Sequence, residues 1–262
     1  MHALDLIAPD GVRQRLVLRR FSDENLAWDP HTVLGMWRAL GLLAQVGVPA
    51  PRSVWLDADG TLFGAPALVM TREPGHVEVR PRDPDRWLQQ LAIALAGLHR
   101  ARLDGADTSF LTSAEHWLAR RFQEVETDTK MLQHPLGADV LRVLKAWRSR
   151  LRRTVPALIH DDYWGGNTLF WRGQITVIVD WEGCALAPPG SDVGYARMDL
   201  AMLLGNDAPD IFLRHYEAAA GGRIPQLFFW DLLGAARALP DPAKWLPGYH
   251  DAGATDLTAD LI

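Results

Sequence analysis

Two residue types are nearly absent from this chain. Its 262 residues include one cysteine, Cys184, and only three lysines, Lys130, Lys145 and Lys244, among 27 cationic residues. One cysteine excludes an internal disulfide, a paired-thiol redox motif and a four-thiolate zinc site, so any metal must be held mainly by oxygen or imidazole. The arginine bias, with many Ala, Gly, Pro and Trp, suits a GC-rich bacterial genome. Long apolar runs are also missing. No stretch approaches 18 consecutive apolar residues, which argues against a membrane-spanning helix and a membrane partner. The first twenty residues end in basic sequence and lack an unbroken apolar core, so the expectation is a cytoplasmic protein without a secretory signal. Positive charge is not in excess: the formal net charge is −5, which argues against a nucleic-acid partner. What is present is ordinary globular composition, 48% hydrophobic and 23% charged, enough for one large domain or two small ones.

The pattern changes near residue 75. Residues 3–7, the turn Ala8-Pro9-Asp10-Gly11 and residues 14–20 predict a hairpin. A helix is predicted from about Asp29 to Gln45, with Val33, Leu34, Trp37, Leu40 and Ala44 at helical spacing, stopped by Gly47 and Pro49-Ala50-Pro51. Two further strands fit residues 53–56 and 67–70. Residues 1–72 thus form a small sheet lobe with one helix. After Glu73-Pro74-Gly75, residues 73–262 form a larger, mainly helical lobe, and the predicted class is α+β. Helices are expected over 85–102, from a Thr112–Glu115 capping-box spacing, through Val140, Leu141, Leu144 and Trp147, and over 194–204, 210–220 and 226–238. Short β-runs interrupt at 157–159 and 175–179. The last twenty or so residues, with Pro240, Pro242 and Pro247, read as a loose tail. No internal repeat is present.

The chemistry concentrates in His160-Asp161-Asp162-Tyr163-Trp164-Gly165-Gly166-Asn167, with Asp180-Trp181-Glu182 thirteen residues past Asn167. An apolar strand delivers His160 and Asp162 to a loop that Gly165 and Gly166 let turn tightly. A hairpin through Arg172-Gly173 would bring Asp180 back beside Asn167. That leaves Asp162 free as a base and sets an amide oxygen beside a carboxylate, a donor pair that suits Mg2+. The D-x-x-x-x-N spacing with a later Asp at a strand end is the phosphoryl-transfer arrangement of protein kinases.

Here the chain also resembles the aminoglycoside phosphotransferase (kinase-like) family, whose catalytic-loop pattern is H-G-D-x-x-x-x-N followed by a strand ending D-x-E. His160, Asp162, Asn167, Asp180 and Glu182 occupy those positions. Leu16 to Arg20, Gly47 to Pro51, Leu68-Val69-Met70, Glu73-Pro74-Gly75, Leu98-His99 and Pro188 to Val193 extend the resemblance over residues 3 to 205. It implies a protein-kinase-like two-lobed fold, with a small antiparallel-sheet N-lobe and a larger helical C-lobe. It also implies transfer of the γ-phosphate of ATP or GTP to a hydroxyl of a small molecule: aminoglycoside-like, sugar or amino-alcohol. In that reading Asp162 takes or orients the hydroxyl proton, and Asn167 and Asp180 hold Mg2+. Arg19 contacts the α- and β-phosphates, Val17 the adenine, and Met70, Thr71 and Arg72 line the nucleotide at the hinge. His160, Glu182 and Asp192 support the site, and Trp164 and Trp181 are candidate substrate contacts.

Plainer roles stand beside these. His160 and His99 are ordinary packing or bracing histidines, Asp192 a helix cap or loop brace, Arg20 a solvated neighbour of Arg19, and Cys184 a small packing residue. Glu182 is either support for the metal or a salt-bridge partner. Four features depart from the family pattern. Asp161 replaces glycine, and either raises the Asp162 pKa by like-charge repulsion or points to solvent. The helix that should pair with Arg19 has Met36 and no acidic residue from Pro30 to Gly47. No lysine is available before residue 130. No counterpart of the first strand and glycine-rich loop precedes the hairpin. These departures motivate an alternative, a non-catalytic kinase-like module that binds a ligand or partner. A metal-hydrolase cluster at His160, Asp161 and Asp162 is a third reading without further histidines at ligand spacing. ATP against GTP, the acceptor, and monomer against dimer stay open.

Overall fold

In the computed structural model, residues 1–7, 11–29 and 31–260 are described; the expected turn at residues 8–10 lies outside them. Strands β1 (His2–Ile7), β2 (Arg13–Arg20), β3 (Ser53–Asp57) and β4 (Ala67–Thr71) form one antiparallel sheet in the order β1-β2-β4-β3. Strand alternation divides its faces. Leu16, Leu18, Ala67 and Val69 pack on one face with Leu4 and Phe63. The opposite face carries Val17 across from Met70 and Arg19 across from Leu68, so Val17 and Arg19 share a side, as expected.

A short helix α1 (Asp23–Trp28), capped by Ser22, was not signalled by periodicity. Helix α2 (Thr32–Val46) buries Val33, Met36, Leu40 and Leu43 and stops at Gly47. These side chains join Phe21, Leu68 and Met70 to Leu88, Leu91, Leu95, Phe170 and Trp181 of the second lobe in one continuous core. A backbone bond also joins the lobes: the Ile178 amide donates to the Pro49 carbonyl at 3.0 Å. Just past the lobe boundary, His76 and Phe170 exchange a pair at 3.0 and 2.8 Å.

The helical lobe contains α3 (Pro84–His99), α4 (Ala114–Thr127), α5 (Thr129–Gln133), α6 (Gly137–Arg148), then β5 (Ala157–Ile159), β6 (Thr168–Trp171), β7 (Gln174–Ile178) and β8 (Ala185–Ala187). Helices α7 (Gly190–Leu204), α8 (Ala208–Ala220), α9 (Leu227–Ala238) and α10 (Leu246–Asp251) follow. Helix α3 packs along α8, and α7 along α9. The cap of α4 is Ser113, whose hydroxyl accepts from the His116 amide; Thr112 instead bridges to Ala185. Helix α7 begins four residues before the expected start, because Pro189 and Gly190 lead directly into it.

The expected loose tail is ordered. A 3-10 turn (Pro242–Trp245) and α10 follow α9, and Tyr249, Ala254 and Leu257 enter the main core. Arg80 clamps Asp256 with two bonds at 2.8 and 3.0 Å. Pro242 and Pro247 occupy first-turn positions of these short helices, where a missing N–H costs nothing, and Pro240 lies in the turn after α9.

Candidate active site

Strand β5 pairs with β8 and ends at Ile159, one residue before His160. The loop that follows is held by Asp192, fully buried in the first turn of α7. Its carboxylate accepts the amides of His160 and Asp161, each at 2.8 Å, and lies 3.2 Å from His99 Nε2. Burial pushes this carboxyl up, but the hydrogen bonds and charge from His99 and His160 outweigh it and hold it below its ordinary value. Of the two expected roles, Asp192 is the loop brace. His160 is also a brace: Nε2 donates to the Val179 carbonyl at 2.8 Å, and Nδ1 accepts the Asp162 amide at 3.3 Å. Its ring is buried 4.6 Å from that of Trp181.

Asp161 does not point to solvent. Its backbone is left-handed, φ 69°, and its carboxylate is buried among arginines. Arg121 bonds to it, Arg120 lies at 3.7 Å and Arg237 at 3.9 Å. Burial pushes its pKa up against the pull of Arg121 and Arg237. The residue thus ties the loop to α4 and α9.

Asp162 faces the opening. Its Oδ1 accepts the Tyr195 hydroxyl at 2.6 Å, and its Oδ2 accepts Asn167 Nδ2 at 3.0 Å. The same Nδ2 donates to the Asp162 carbonyl at 2.8 Å, which leaves Asn167 Oδ1 as the amide's acceptor atom. The β6–β7 hairpin turns at Arg172-Gly173, both at positive φ. The Val179 amide then donates to the Asn167 carbonyl at 2.9 Å. Asp180 follows at once, itself left-handed with φ 65°. The sequence expectation that a hairpin returns Asp180 to Asn167 matches this geometry.

Arg19 reaches across from the sheet lobe. It donates to Asp180 Oδ1 at 2.8 Å and pairs with Glu182. Helix α2 buries Met36 where a glutamate was sought, so the arginine's carboxylate partners come from the 180–182 segment instead. Glu182 is a salt-bridge partner; burial pushes its carboxyl up, opposed by Arg19. Near the hinge, Met70 is buried, Thr71 donates its hydroxyl to Glu73 at 2.5 Å, and the Arg72 amide donates to the Arg15 carbonyl at 2.9 Å. That amide is therefore already used within the lobe.

Trp181 cannot stack on a substrate: it is 0% exposed, with its indole N–H on the Ile178 carbonyl. The apolar core takes it because the 3-10 turn after Asp180 points it inward. Trp164 lines a cavity of about 310 Å³ beside Asp162, with Tyr195, Asp199, Trp245 and Tyr249. A second cavity of about 420 Å³, which shares Asp162, Tyr195, Lys244 and Trp245 with the first, adds Arg121, Glu124 and Arg237. Tyr195, Asp199, Arg237, Trp245 and Tyr249 were not singled out from sequence. One signal was available: Asp192, Tyr195 and Asp199, spaced by three and four, share a helix face. Cys184 is a partly buried packing residue, and desolvation pushes its thiol above the ordinary value. Among the described residues no group of three or more His, Cys, Asp or Glu is placed to hold a metal, and His160 and Asp161, offered to the hydrolase reading, are engaged by Val179 and Arg121 instead. No helix of the described residues is long and apolar enough to cross a membrane.

Comparison with known proteins agrees with this geometry. The chain is 31% identical over 228 residues to the Thermus thermophilus protein named probable ketoamine kinase TTHA1179, covering 81% of this chain and 70% of that one. It is 24% identical over 198 residues to mouse acyl-CoA dehydrogenase family member 10, of which it spans only 18%. The structure superposes on the Streptomyces rimosus aminoglycoside phosphotransferase APH(3'')-Id, solved with ADP and streptomycin. That match has a TM-score of 0.66 at 14% identity, covering 90% of this chain and 92% of the other. It fixes the fold as the kinase-like two-lobed one. The sequence model of the phosphotransferase enzyme family (APH) matches residues 7–237, and the chain belongs to that family.

Proposed function

We propose that the protein transfers the γ-phosphoryl group of ATP or GTP to a hydroxyl of a small molecule, with residues 1–72 and 73–262 as its two lobes. The reading rests on one observation above the others. Asp162 stands where two cavities meet, oriented by Tyr195 and Asn167, with Asp180 one hairpin away. Phosphoryl transfer asks mainly for positioning and charge neutralisation, and this is what the arrangement supplies.

An ionised carboxylate only accepts hydrogen bonds. With one donor from Tyr195 and one from Asn167, Asp162 keeps lone pairs directed at the acceptor hydroxyl. It takes that proton as the new O–P bond forms and the bond from the γ-phosphorus to the nucleoside diphosphate breaks. Asn167 Oδ1 and the Asp180 carboxylate are hard oxygen donors, too few to enclose a metal alone, and so fit Mg2+ completed by phosphates and water. When bound there, Mg2+ supplies neutralisation of phosphate charge. Arg19 forks between Asp180 and Glu182 and can turn one N–H edge to a phosphate, since a guanidinium binds it bidentately. Val17 and Met70 give the apolar face for the base.

The acceptor classes this supports are a sugar, an aminoglycoside-like compound, an amino-alcohol or, by likeness to the Thermus relative, a ketoamine. Asp162→Asn keeps both hydrogen-bonding neighbours in reach but removes the base. Expected is a loss of at least 100-fold in Mg2+-dependent nucleotide turnover, with the melting temperature and nucleotide affinity kept. Full turnover in that variant overturns the assignment of the base.

A further inference from the structure

The net charge of the chain is −5, yet one stretch of its surface is basic. Between Asp139 and Asp161 there is no acidic residue, while Arg142, Lys145, Arg148, Arg150, Arg152 and Arg153 all lie there. Arg142 and Lys145 are paired with Asp139 and Glu126. The other four are exposed and make no ion pair among the described residues. Arg223, exposed in the loop between α8 and α9 and likewise without an ion pair, adds a fifth. Acids on the flanking helices are engaged: Glu126 by Lys145, Glu217 by the Ile224 amide at 3.1 Å, and Asp231 by Arg197.

These guanidiniums sit on a fixed scaffold. Gln226 clamps the segment after α6, its Nε2 donating to the Arg150 carbonyl at 3.0 Å and its Oε1 accepting the Arg152 amide at 2.7 Å. Arg148 lies over the Phe122 ring at 4.5 Å, and Arg150 over the Trp147 ring at 5.7 Å. Trp147 in turn meets Phe228 at the start of α9 edge-on, with centroids 4.7 Å apart. Apolar side chains stand out among the cations: Val155 is 87% exposed and Phe228 46%.

Two kinds of anionic partner suit a cluster of arginines. An acidic peptide pairs with the charges and leaves Val155 and Phe228 in water. An anionic bilayer surface answers both features. Its lipid phosphates meet the planar forks of the arginines, and protruding apolar side chains enter the boundary between headgroups and chains. The lack of long apolar runs excludes a span but not a contact of this kind.

We propose that residues 147–156, with Arg223 and Phe228, dock on an anionic lipid surface. The excess negative charge on the rest of the chain is repelled by the same surface, which orients the protein with this face down. The contact is separate from phosphoryl transfer and does not depend on it.

Co-sedimentation of the full chain with phosphatidylcholine vesicles, with and without about one third phosphatidylglycerol, tests this. Binding is expected to be about tenfold or more stronger on the anionic vesicles. It should be largely lost when NaCl rises from about 0.1 M to about 1 M, which shortens the screening length from about 10 Å to about 3 Å. This salt arm uses the unaltered chain, so it stands even if a variant fails to fold. Arg152→Glu with Arg153→Glu should weaken binding about tenfold or more. Arg82→Glu with Arg86→Glu, an equal change of net charge at exposed positions around the start of α3, should leave it unchanged. Val155→Ser should weaken it about threefold or more. No preference for anionic vesicles overturns the proposal. Equal loss from both arginine pairs also overturns it, since net charge alone would then drive the attraction. Binding that ignores Val155→Ser overturns the apolar contact. A polyglutamate peptide that binds through Arg152 and Arg153, with vesicles left unbound, replaces the lipid by an acidic protein segment.

Discussion

Asp161 occupies a backbone position, φ 69°, where glycine is at ease and where aspartate is tolerated better than most side chains. The family's glycine would therefore relieve about 1 kcal/mol of backbone strain. It would also leave Arg121 buried beside Glu124 without its second carboxylate. Removing one member of a buried pair costs about 3–5 kcal/mol, so the ion-pair term wins. Asp161→Gly should lower the free energy of unfolding by about 2–4 kcal/mol in urea titrations. Adding Arg121→Met should recover most of that loss, because an apolar replacement of both partners leaves no stranded charge. If the single substitution stabilises the protein, the arginine cluster contributes less than the strain it imposes. The same residue shows why the sequence alone misled here. In the sequence the nearest charge to Asp161 is its neighbour Asp162, whereas its partners lie 40 and 76 positions away at Arg121 and Arg237.

Helices α7 and α9 set the acceptor side, and they touch through glycine. A methyl group on Gly194 would collide with the Trp230 carbonyl, and one on Gly234 with the Gly194 carbonyl. Backbone cannot yield as a side-chain tip can. Gly194→Ala should therefore destabilise by about 1–3 kcal/mol despite the better helix propensity of alanine. It should also lower phosphoryl transfer, since α7 carries Asp192, Tyr195 and Asp199 and α9 carries Arg237. Gly35→Ala is the control: nothing lies within 4 Å of that added methyl, so a gain of up to about 1 kcal/mol is expected. Equal melting temperatures for both variants would refute the close contact. Elements with a local signature were legible in the sequence. Val33 and Leu40 announce α2, although Leu34 and Ala44 of the same expected stripe are exposed; Trp87, Leu91 and Leu95 announce α3, and Arg172-Gly173 announces the hairpin that returns Asp180. Segments defined by distant contacts were not. Tyr249 and Leu257 look like tail residues until the main core takes them in, and Asp199 becomes a site residue only when Tyr249 of α10 bonds to it.

At the scale of the whole molecule the two lobes are joined by core packing, by the backbone bond at Pro49, and by the cation Arg19. That arginine spans them through Asp180 and Glu182. A nucleotide phosphate entering the cleft meets an arginine already paired to carboxylates, one of which is a proposed Mg2+ ligand. Phosphate and Mg2+ therefore suit each other here: the cation relieves Asp180 of its need for Arg19, and the phosphate relieves Arg19 of its need for Asp180. Binding of either alone should be weak and binding of both cooperative. With nucleotide at about 100 times its Kd, the stabilisation is about 2.7 kcal/mol. For a chain of this size that corresponds to a rise of roughly 5–10 °C in melting temperature. ATP or GTP with Mg2+ should produce that shift, and nucleotide with EDTA or Mg2+ alone should produce little of it. Arg19→Met should weaken nucleotide binding at least tenfold. Arg19→Lys should restore only part, because an ammonium cannot fork between Asp180, Glu182 and a phosphate. A melting temperature that no combination of Mg2+ and nucleotide moves would return the protein to the class of kinase-like binding modules, with Arg19 a lobe-to-lobe tether alone. A shift that survives Arg19→Met unchanged would keep the enzyme but place the phosphates away from this strand.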